Sequence, residues 1–269
     1  MRLKDQVCIV TGAGRGIGHG IVLRFLAEGA RVVALERDTA ALAELRRSCA
    51  SDHLLVLEGD AADQTTIDAT IAQTLAHWER IDVLVNNAVA YAEHGVTNTS
   101  DQDWADTIDS GLTSVFRWCR AALTPMLAQG RGVIVNMASI NQIVANPNLA
   151  AYTAAKGGVH ALTKQIAVEY GPRGIRCNAI SPGFIITERT MVGRSAADLE
   201  WDAEAYPVGR VGQPADVAAA AAFLASEDAA FISGVDLPVD GGLTAVAPSA
   251  LLSRKIRAWW GRKPVGVID

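Results

Sequence analysis

Short apolar runs rich in β-branched residues alternate with longer segments of helical periodicity along most of the chain. Each run is apolar throughout, which is typical of parallel strands covered on both faces. The predicted strands are residues 7–11, 31–35, 54–57, 83–85, 133–137, 176–179 and 235–239. The predicted helices include residues 17–28, 40–49, 67–78 and 213–225. This alternation predicts an α/β fold, in which right-handed crossovers place helices on both faces of one parallel sheet of about seven strands.

Composition narrows the class of protein without naming a function. The 269 residues are 50% hydrophobic, enough for one domain with a large core. A net charge of −5 argues against nucleic-acid binding, because phosphates are bound by basic faces. The longest apolar run, near residues 217–225, is too short to cross a bilayer. The four cysteines are far apart in the sequence, and we interpret them as reduced thiols rather than disulfides or metal ligands. The start of the sequence lacks a signal-peptide pattern. Both observations predict a cytoplasmic protein.

A glycine-rich turn follows the first predicted strand and opens the first predicted helix. Residues 11–18 read TGAGRGIG, with Gly12, Gly16 and Gly18 among the glycines. Glycines allow a tight turn and let a pyrophosphate approach the helix N-terminus, where free N–H groups and the helix dipole favour an anion. The position of this turn between a strand and a helix predicts a dinucleotide site on a doubly wound Rossmann fold.

Glu36 ends the second predicted strand, 18 residues beyond Gly18. A carboxylate at this place can accept hydrogen bonds from the ribose hydroxyls of NAD, and it would repel the 2′-phosphate of NADP. Arg15 and Arg37 instead favour NADP, since guanidinium groups bind phosphate well. We give the carboxylate more weight and predict NAD, with NADP as the alternative.

Tyr152 and Lys156 are four residues apart, which places both side chains on one face of a helix. Ser139 lies just after the strand at 133–137, so the three side chains can meet at the carboxyl edge of the sheet. An ammonium about 4–5 Å from the phenol would lower its pKa by about 2–3 units. Tyr152 would then act as a general acid and base near neutral pH, while Ser139 stabilises charge on the substrate oxygen.

Together these motifs resemble those of the short-chain dehydrogenase/reductase family, from about Leu3 to Leu243. The family's TGxxxGxG corresponds to residues 11–18, its NNAG to 86–89, its proline-glycine stretch to 181–183 and its closing DGG to 240–242, while its serine and YxxxK correspond to Ser139, Tyr152 and Lys156. The resemblance implies hydride transfer between a nicotinamide and a secondary alcohol or ketone, in a homotetramer or homodimer. Spacing and resemblance together give a set of expected cofactor contacts. They are Gly12, Arg15, Gly16, Ile17, Gly18, Glu36, Asp60, Ala61, Asn86, Tyr152, Lys156, Pro182, Gly183, Ile185 and Thr187.

Two positions depart from the family's pattern. Val89 replaces the last glycine of NNAG, so a bulkier residue stands near the expected nicotinamide end. Gly111 replaces an asparagine that, in family members, helps to anchor a proton-relaying water. Either this relay is impaired, or a backbone carbonyl holds the water at a local kink, with Ser110 or Ser114 as another source of a hydroxyl. We expect retained activity, and a rate change of less than about tenfold for Gly111→Asn.

The predicted boundaries are one catalytic domain at 1–248, with a substrate loop at 187–206, and a basic, Trp-containing tail at 249–269. The candidate pocket residues are mostly apolar, which favours a mostly apolar substrate. They are Ile140, Val144, Asn146, Phe184, Met191, Trp201 and Tyr206. Met191 and Trp201 can equally pack a lid helix, and we expect the loop to close over the cofactor. The tail fits a surface helix or a loose arm, with subunit docking and membrane-surface contact as alternatives.

The leading hypothesis is therefore an NAD-dependent alcohol dehydrogenase or ketone reductase that acts on a small molecule. Three alternatives remain open at this level. They are an NADP-linked reductase, a nucleotide-binding sensor or scaffold without catalysis, and a methyltransferase of similar fold, in which Tyr152 and Lys156 would have no obvious role.

Overall fold

The computed structural model describes residues 1–49 and 51–262, and a parallel sheet of seven strands forms its centre. The strands are β1 Val7–Thr11, β2 Arg31–Glu36, β3 Leu54–Glu58, β4 Val83–Asn86, β5 Gly132–Met137, β6 Ile175–Pro182 and β7 Asp236–Val239. Their order is β3-β2-β1-β4-β5-β6-β7, which confirms the predicted doubly wound fold. The strand β6 continues past its predicted end at Ala179, because Ile180, Ser181 and Pro182 still pair with β7.

Helices connect the strands and cover both faces of the sheet. They are α1 Gly16–Ala27, α2 Thr39–Ser48, α3 Gln64–Trp78, α4 Asp101–Ile108, α5 Ser114–Gln129, α6 Ala150–Tyr170, α7 Ala196–Ala203, α8 Pro214–Ala225, α9 Pro248–Leu252 and α10 Arg254–Trp259. Asp38 and Asp63 begin α2 and α3 by accepting hydrogen bonds from backbone N–H groups of the first turn. In the part of the chain that the structure describes, no helix has both the length and the apolarity needed to span a membrane.

The sheet separates two hydrophobic cores, because consecutive residues of a strand point to opposite faces. Val10 of β1 packs in the core that contains Phe25 of α1. Its neighbour Ile9 packs in the other core, with Trp118 of α5 and Val159 of α6. The strand order reverses between β1 and β4, so a crevice opens at the carboxyl ends of these two strands, where ligands bind in sheets of this type.

The described part of the basic tail is anchored on the body of the protein. Arg257 of α10 is buried, and its guanidinium pairs with Glu204 at 2.6 Å. Arg262 donates to the carbonyl oxygens of Glu204 and Tyr206 at 2.8 and 2.6 Å. The surface-helix interpretation agrees with residues 254–259, whereas a buried anchoring arginine was not predicted. Residues 263–269 of the predicted tail lie outside the described residues.

Candidate active site

The glycine turn lies at the carboxyl end of β1, as its sequence position predicts. Gly12 has a φ of +62°, and a Cβ there would lie 2.9 Å from the Cα of Ala88, so a side chain is excluded. A Cβ on Gly18 would lie 2.0 Å from the carbonyl oxygen of Gly12, which shows how closely α1 approaches the turn. Arg15, Gly16 and Ile17 form the start of α1, whose N-terminal N–H groups and dipole favour an anion in the crevice.

Asn87 holds this turn in place, a role that the sequence analysis missed. Its Nδ2 donates to the carbonyl oxygens of Thr11 and Gly12, each at 3.0 Å. In return, Thr11 Oγ1 accepts from the backbone N–H groups of Asn87 and Ala88 at 3.0 and 3.1 Å. The second asparagine of the NNAV segment, directly after β4, was the available signal. It links β4 to the glycine turn across the crevice.

Glu36 lies at the end of β2 with its carboxylate already oriented by backbone groups. It accepts from the N–H of Gly14 at 3.1 Å, of Arg37 at 2.9 Å and of Asp38 at 3.1 Å. The two arginines that argued for NADP are each paired with an acid. Arg15 pairs with Asp38 at 2.7 Å, and Arg37 pairs more loosely with Asp60 at 3.5 Å. A negative carboxylate thus dominates this corner of the crevice.

Asp60 and Ala61 follow β3 at the same edge of the sheet. Asp60 Oδ1 accepts from the N–H of Ala62 at 2.9 Å, and the carbonyl oxygen of Ala61 accepts from Trp118 Nε1 at 2.9 Å. The buried indole of α5 therefore fixes the backbone of this rim. A glycine-rich turn at a helix N-terminus, a preoriented carboxylate on β2 and a fixed rim after β3 together fit a dinucleotide.

Ser139, Tyr152 and Lys156 come together beside this crevice. Ser139 is buried just after β5, and its hydroxyl accepts from the backbone and side-chain N–H groups of Asn141, each at 3.2 Å. Tyr152 and Lys156 lie one turn apart on α6, with Lys156 Nζ 5.6 Å from the centre of the Tyr152 ring. The buried ammonium donates to the carbonyl oxygen of Met137 at 2.7 Å, which ties α6 to the end of β5.

The electrostatics of this group differ from the prediction. Burial raises the pKa of Tyr152 to about 12, although its hydrogen bond with Ser139 acts in the opposite direction. Burial also lowers the pKa of Lys156, to about 8. The expected tyrosine of near-neutral pKa was therefore wrong for the protein alone, because loss of hydration on burial raises this pKa more than Ser139 and Arg189 lower it. Both shifts favour the uncharged form of the pair.

Comparisons with known proteins agree with this geometry. The family model described as Enoyl-(Acyl carrier protein) reductase matches residues 12–244. The chain is 42% identical to 2-(R)-hydroxypropyl-CoM dehydrogenase of Xanthobacter autotrophicus, over 90% of this chain and 100% of that protein. It is 39% identical to D-threitol dehydrogenase of Mycolicibacterium smegmatis, over 90% of this chain and 94% of that protein. The crystal structure of gox2181 matches with a TM-score of 0.86 and 33% identity, over 91% of this chain and 98% of that one.

The chain belongs to the short-chain dehydrogenase/reductase family. This confirms the predicted family and the predicted class of enzyme, an oxidoreductase of secondary alcohols and ketones. Members of the short-chain dehydrogenase/reductase family bind a nicotinamide cofactor, NAD or NADP.

Asn86 uses its side chain inside the sheet of this short-chain dehydrogenase/reductase. Its Nδ2 donates to Asn136 Oδ1 at 2.8 Å and to Cys119 Sγ at 3.3 Å. Asn136 in turn donates to Thr163 Oγ1 at 2.9 Å and to Cys177 Sγ at 3.6 Å. This buried network joins β4, β5 and β6 to α5 and α6 directly below the catalytic group. A cofactor contact by Asn86 stays a prediction.

Gly111, the main departure from the family's pattern, lies in a single π-helical turn, Asp109–Thr113, between α4 and α5. This agrees with the interpretation of a local kink. A Cβ on Gly111 would lie 3.2 Å from Ala155 Cβ and 3.4 Å from Val89 Cγ2, so the two departures are in contact. Ser110 Oγ donates to the carbonyl oxygen of Ala90 at 2.6 Å, and Ser114 Oγ bonds back to Ser110. Both hydroxyls thus bond to backbone carbonyl oxygens, and a contribution of either one to a water relay stays a prediction.

The residues after β6 lead from the crevice to the substrate loop. Pro182 ends β6, Gly183 donates to the carbonyl oxygen of Val239 at 3.0 Å, and Ile185 is buried. The methyl group of Thr187 packs directly against Gly16, so the loop reaches the glycine turn.

The predicted pocket residues differ in exposure, since some are buried and others face solvent. Tyr206 is buried, and its hydroxyl accepts from the N–H of Phe184 at 2.8 Å. Ile140 is also buried, whereas Trp201 on α7 is 65% exposed. Sequence reasoning missed Tyr91, whose ring lies against the Tyr152 ring, and Arg189, whose guanidinium lies over the Tyr91 ring. Both residues are in irregular segments without a sequence motif. Only the structure, which brings them next to Tyr152, identifies them as part of the site.

Proposed function

We propose that this protein is an NAD-dependent oxidoreductase that interconverts a secondary alcohol and its ketone, with Tyr152 as the general acid and base. The observation that carries the proposal is the meeting of Ser139, Tyr152 and Lys156 beside the crevice that Glu36 and the glycine turn border. Acid–base, anion-stabilising and dinucleotide-binding groups therefore occupy one edge of the sheet.

The residues of the chain divide the chemistry between them. The nicotinamide, when bound, gives or takes the hydride. In the direction of reduction, Tyr152 donates its phenolic proton to the carbonyl oxygen, which becomes the alcohol, while Ser139 stabilises the charge on that oxygen. Lys156 carries its charge below its pKa of about 8 and stabilises the phenolate that remains. In the direction of oxidation, the phenolate must form first and then takes the proton of the alcohol.

The preference for NAD is supported by the charge at the end of β2. The Glu36 carboxylate accepts three backbone N–H groups and needs little reorganisation to accept the ribose hydroxyls. A 2′-phosphate would meet this carboxylate together with Asp38, which already engages Arg15. Because Asp38 is already neutralised by Arg15, repulsion from the Glu36 carboxylate favours the cofactor without the extra phosphate.

We also infer that the protein assembles as a homodimer or homotetramer through α5 and α6. Phe116 on α5 and Val168 on α6 are 46% and 78% exposed, and large apolar side chains of this kind are enriched at subunit interfaces. Light scattering after size exclusion should give a mass two or four times that of the chain. Phe116→Glu should lower this mass, and a monomeric wild-type protein would contradict the inference.

The main test is a screen of secondary alcohols and ketones, run with NAD(H) and NADP(H) separately. Tyr152→Phe should lower turnover about 10²–10⁴-fold, because proton transfer is lost, while the Kd of NADH changes less than about twofold. Tyr170→Phe, on the same helix, is the matched control and should leave turnover unchanged. Turnover that survives in Tyr152→Phe would contradict the assigned acid and base.

A further inference from the structure

Tyr152, Tyr91 and Arg189 form a stack of three side chains at the candidate catalytic centre. The Tyr91 ring, from the loop after β4, lies 4.4 Å from the Tyr152 ring with an angle of 44° between their planes. The Arg189 guanidinium, from the segment after β6, lies 3.7 Å from the centre of the Tyr91 ring in this stack. It also donates to the carbonyl oxygen of Tyr91 at 3.1 Å. The cation is thus one ring away from the catalytic tyrosine.

Arg189 differs from Arg194, Arg210 and Arg257 in its charge balance. Arg194 pairs with Asp202, Arg210 with Asp216 and Arg257 with Glu204. Among residues 1–49 and 51–262, no carboxylate lies within ion-pair distance of Arg189. Glu93 is near enough to affect Tyr91 but forms no ion pair with this arginine. The N–H groups of Arg189 that do not contact Tyr91 can therefore bind an incoming anion.

The charge of Arg189 acts on the catalytic centre itself. It lowers the pKa of both Tyr91 and Tyr152, against the larger opposing effect of burial. The stacking distances of 3.7 Å from Arg189 to the Tyr91 ring and 4.4 Å from Tyr91 to the Tyr152 ring bring the cation close to Tyr152, so one small molecule can reach both.

Next to Ser139, Ile140 is buried, and the side chain of Asn141 is occupied by hydrogen bonds with Ser139 and Asn146. Arg189 is therefore the charged group that the stack presents beside Tyr152. A small alcohol or ketone that carries an anion a few bonds from the reacting carbon matches an oxygen held at Tyr152 and a cation one ring away.

We propose that Arg189, held by its stack on Tyr91, selects alcohols and ketones that carry a carboxylate or sulfonate a few bonds from the reacting carbon. This inference rests on the proposed function, since it names the substrate class of the same site. Tyr91 acts as a positioning residue, because its ring supports the guanidinium above Tyr152.

The experiment compares matched pairs of probes that differ in charge. The pairs are acetoacetate with acetoacetamide, levulinate with its amide, and 2-oxopropanesulfonate with 2-pentanone as the neutral ketone. We expect the wild-type enzyme to have at least a tenfold higher kcat/KM for the anionic member of at least one pair. Arg189→Gln, which removes the charge and keeps a donor, should abolish this ratio, and Arg189→Lys should restore part of it.

Arg194→Gln is the matched control. This arginine lies in the same segment and also stacks on an aromatic ring, with 4.6 Å to the centre of the Phe184 ring, but its charge is paired with Asp202. The Arg194→Gln variant should leave the ratio of kcat/KM for the anionic probe to kcat/KM for the neutral probe unchanged. Tyr91→Phe should keep the ratio because the stack survives, whereas Tyr91→Leu should lower it.

Binding separates failure of this inference from failure of the proposed function. The dissociation constants of acetoacetate and acetoacetamide are measured in the NADH complex by quenching of nicotinamide fluorescence. Tighter binding of the acid that disappears in Arg189→Gln supports the inference even where turnover is absent. Equal affinities and equal rates for acids and amides in the wild-type enzyme would overturn it, whether or not the neutral ketones are reduced.

Discussion

The two halves of the crevice are held by different kinds of contact. The cofactor half is formed by the carboxyl ends of β1, β2 and β3 with the glycine turn. Here backbone groups of neighbouring strands and turns meet, as in the bond from the N–H of Ala13 to the carbonyl oxygen of Leu35 at 3.0 Å. In the substrate half, formed by the loop after β4, residues 183–209 and the tail, side chains join segments remote in sequence. Arg189 contacts Tyr91, and Arg262 contacts Glu204. The cofactor half is thus part of the sheet, while the substrate half is assembled from separate pieces.

This difference implies that a change in one half should leave the function of the other intact. Lys156 tests the boundary between them, because it lies on α6 and bonds to the end of β5. Lys156→Met should lower turnover about 10²–10⁴-fold. The same variant should raise the free energy of unfolding at pH 7 by about 1–2 kcal/mol, since removing a buried charge gains more than the lost hydrogen bond of Met137 costs.

The sign of this stability effect depends on pH. The folded pKa of Lys156, about 8, lies below its usual 10.5, so the cost of burying the ammonium is complete below pH 8 and disappears above 10.5. Denaturant unfolding at pH 7 and pH 10 should therefore show a smaller gain for Lys156→Met at the higher pH. Lys164→Met, at an exposed position of α6, is the control and should show no gain at either pH. A variant less stable than wild type at pH 7 would contradict the burial argument.

Glu36→Ala tests the independence of the cofactor half. The variant should weaken NADH binding about tenfold to a hundredfold and tighten NADPH binding, because the repulsive carboxylate is gone. Its KM for the ketone at saturating cofactor should not change. Glu58→Ala, an exposed position in register with Glu36 on β3, is the matched control. Fluorescence titration gives both dissociation constants, and an unchanged NADH-to-NADPH ratio would show that Glu36 does not discriminate.

Arg257→Met tests the substrate half. Loss of the pair with Glu204 should loosen the end of the substrate loop, increase the KM for the ketone a few-fold and lower stability by about 1–2 kcal/mol. Hydrogen exchange should accelerate in residues 196–206 and not in the glycine turn. Arg254→Met, on the exposed face of α10, serves as the control. If NADH affinity falls as well, the two halves are coupled and the comparison fails.

Substitutions of Val89 and Gly111, which lie between the two halves, should have the smallest effect on turnover. Gly111→Asn should lower turnover by less than about tenfold, because its side chain meets Val89 and Ala155. Val89→Gly in the same chain should recover the loss, since it removes one of the two contacts. Steady-state kinetics of both single variants and the double variant form a double-mutant cycle. Purely additive effects would mean that the two positions act separately.

The same division explains what the sequence could predict. The glycine turn, Glu36 and the spacing of Tyr152 and Lys156 were found because each depends on a local strand, turn or helix. The stack of Arg189 on Tyr91 and the anchoring by Arg257 join distant segments, and single-sequence patterns carry no signal for them. The predicted pKa of Tyr152 was wrong because spacing gives the direction of a neighbouring charge but not the depth of burial.

The network below the catalytic group has a practical consequence for labelling. Burial holds the thiol pKa of Cys8, Cys119 and Cys177 well above the usual value, so these cysteines stay protonated and shielded from electrophiles. Cys49, at the end of α2, is the partly exposed one of the four. A maleimide dye should therefore modify the native enzyme at this single position, near the start of β3 and away from the crevice, without cysteine replacement elsewhere.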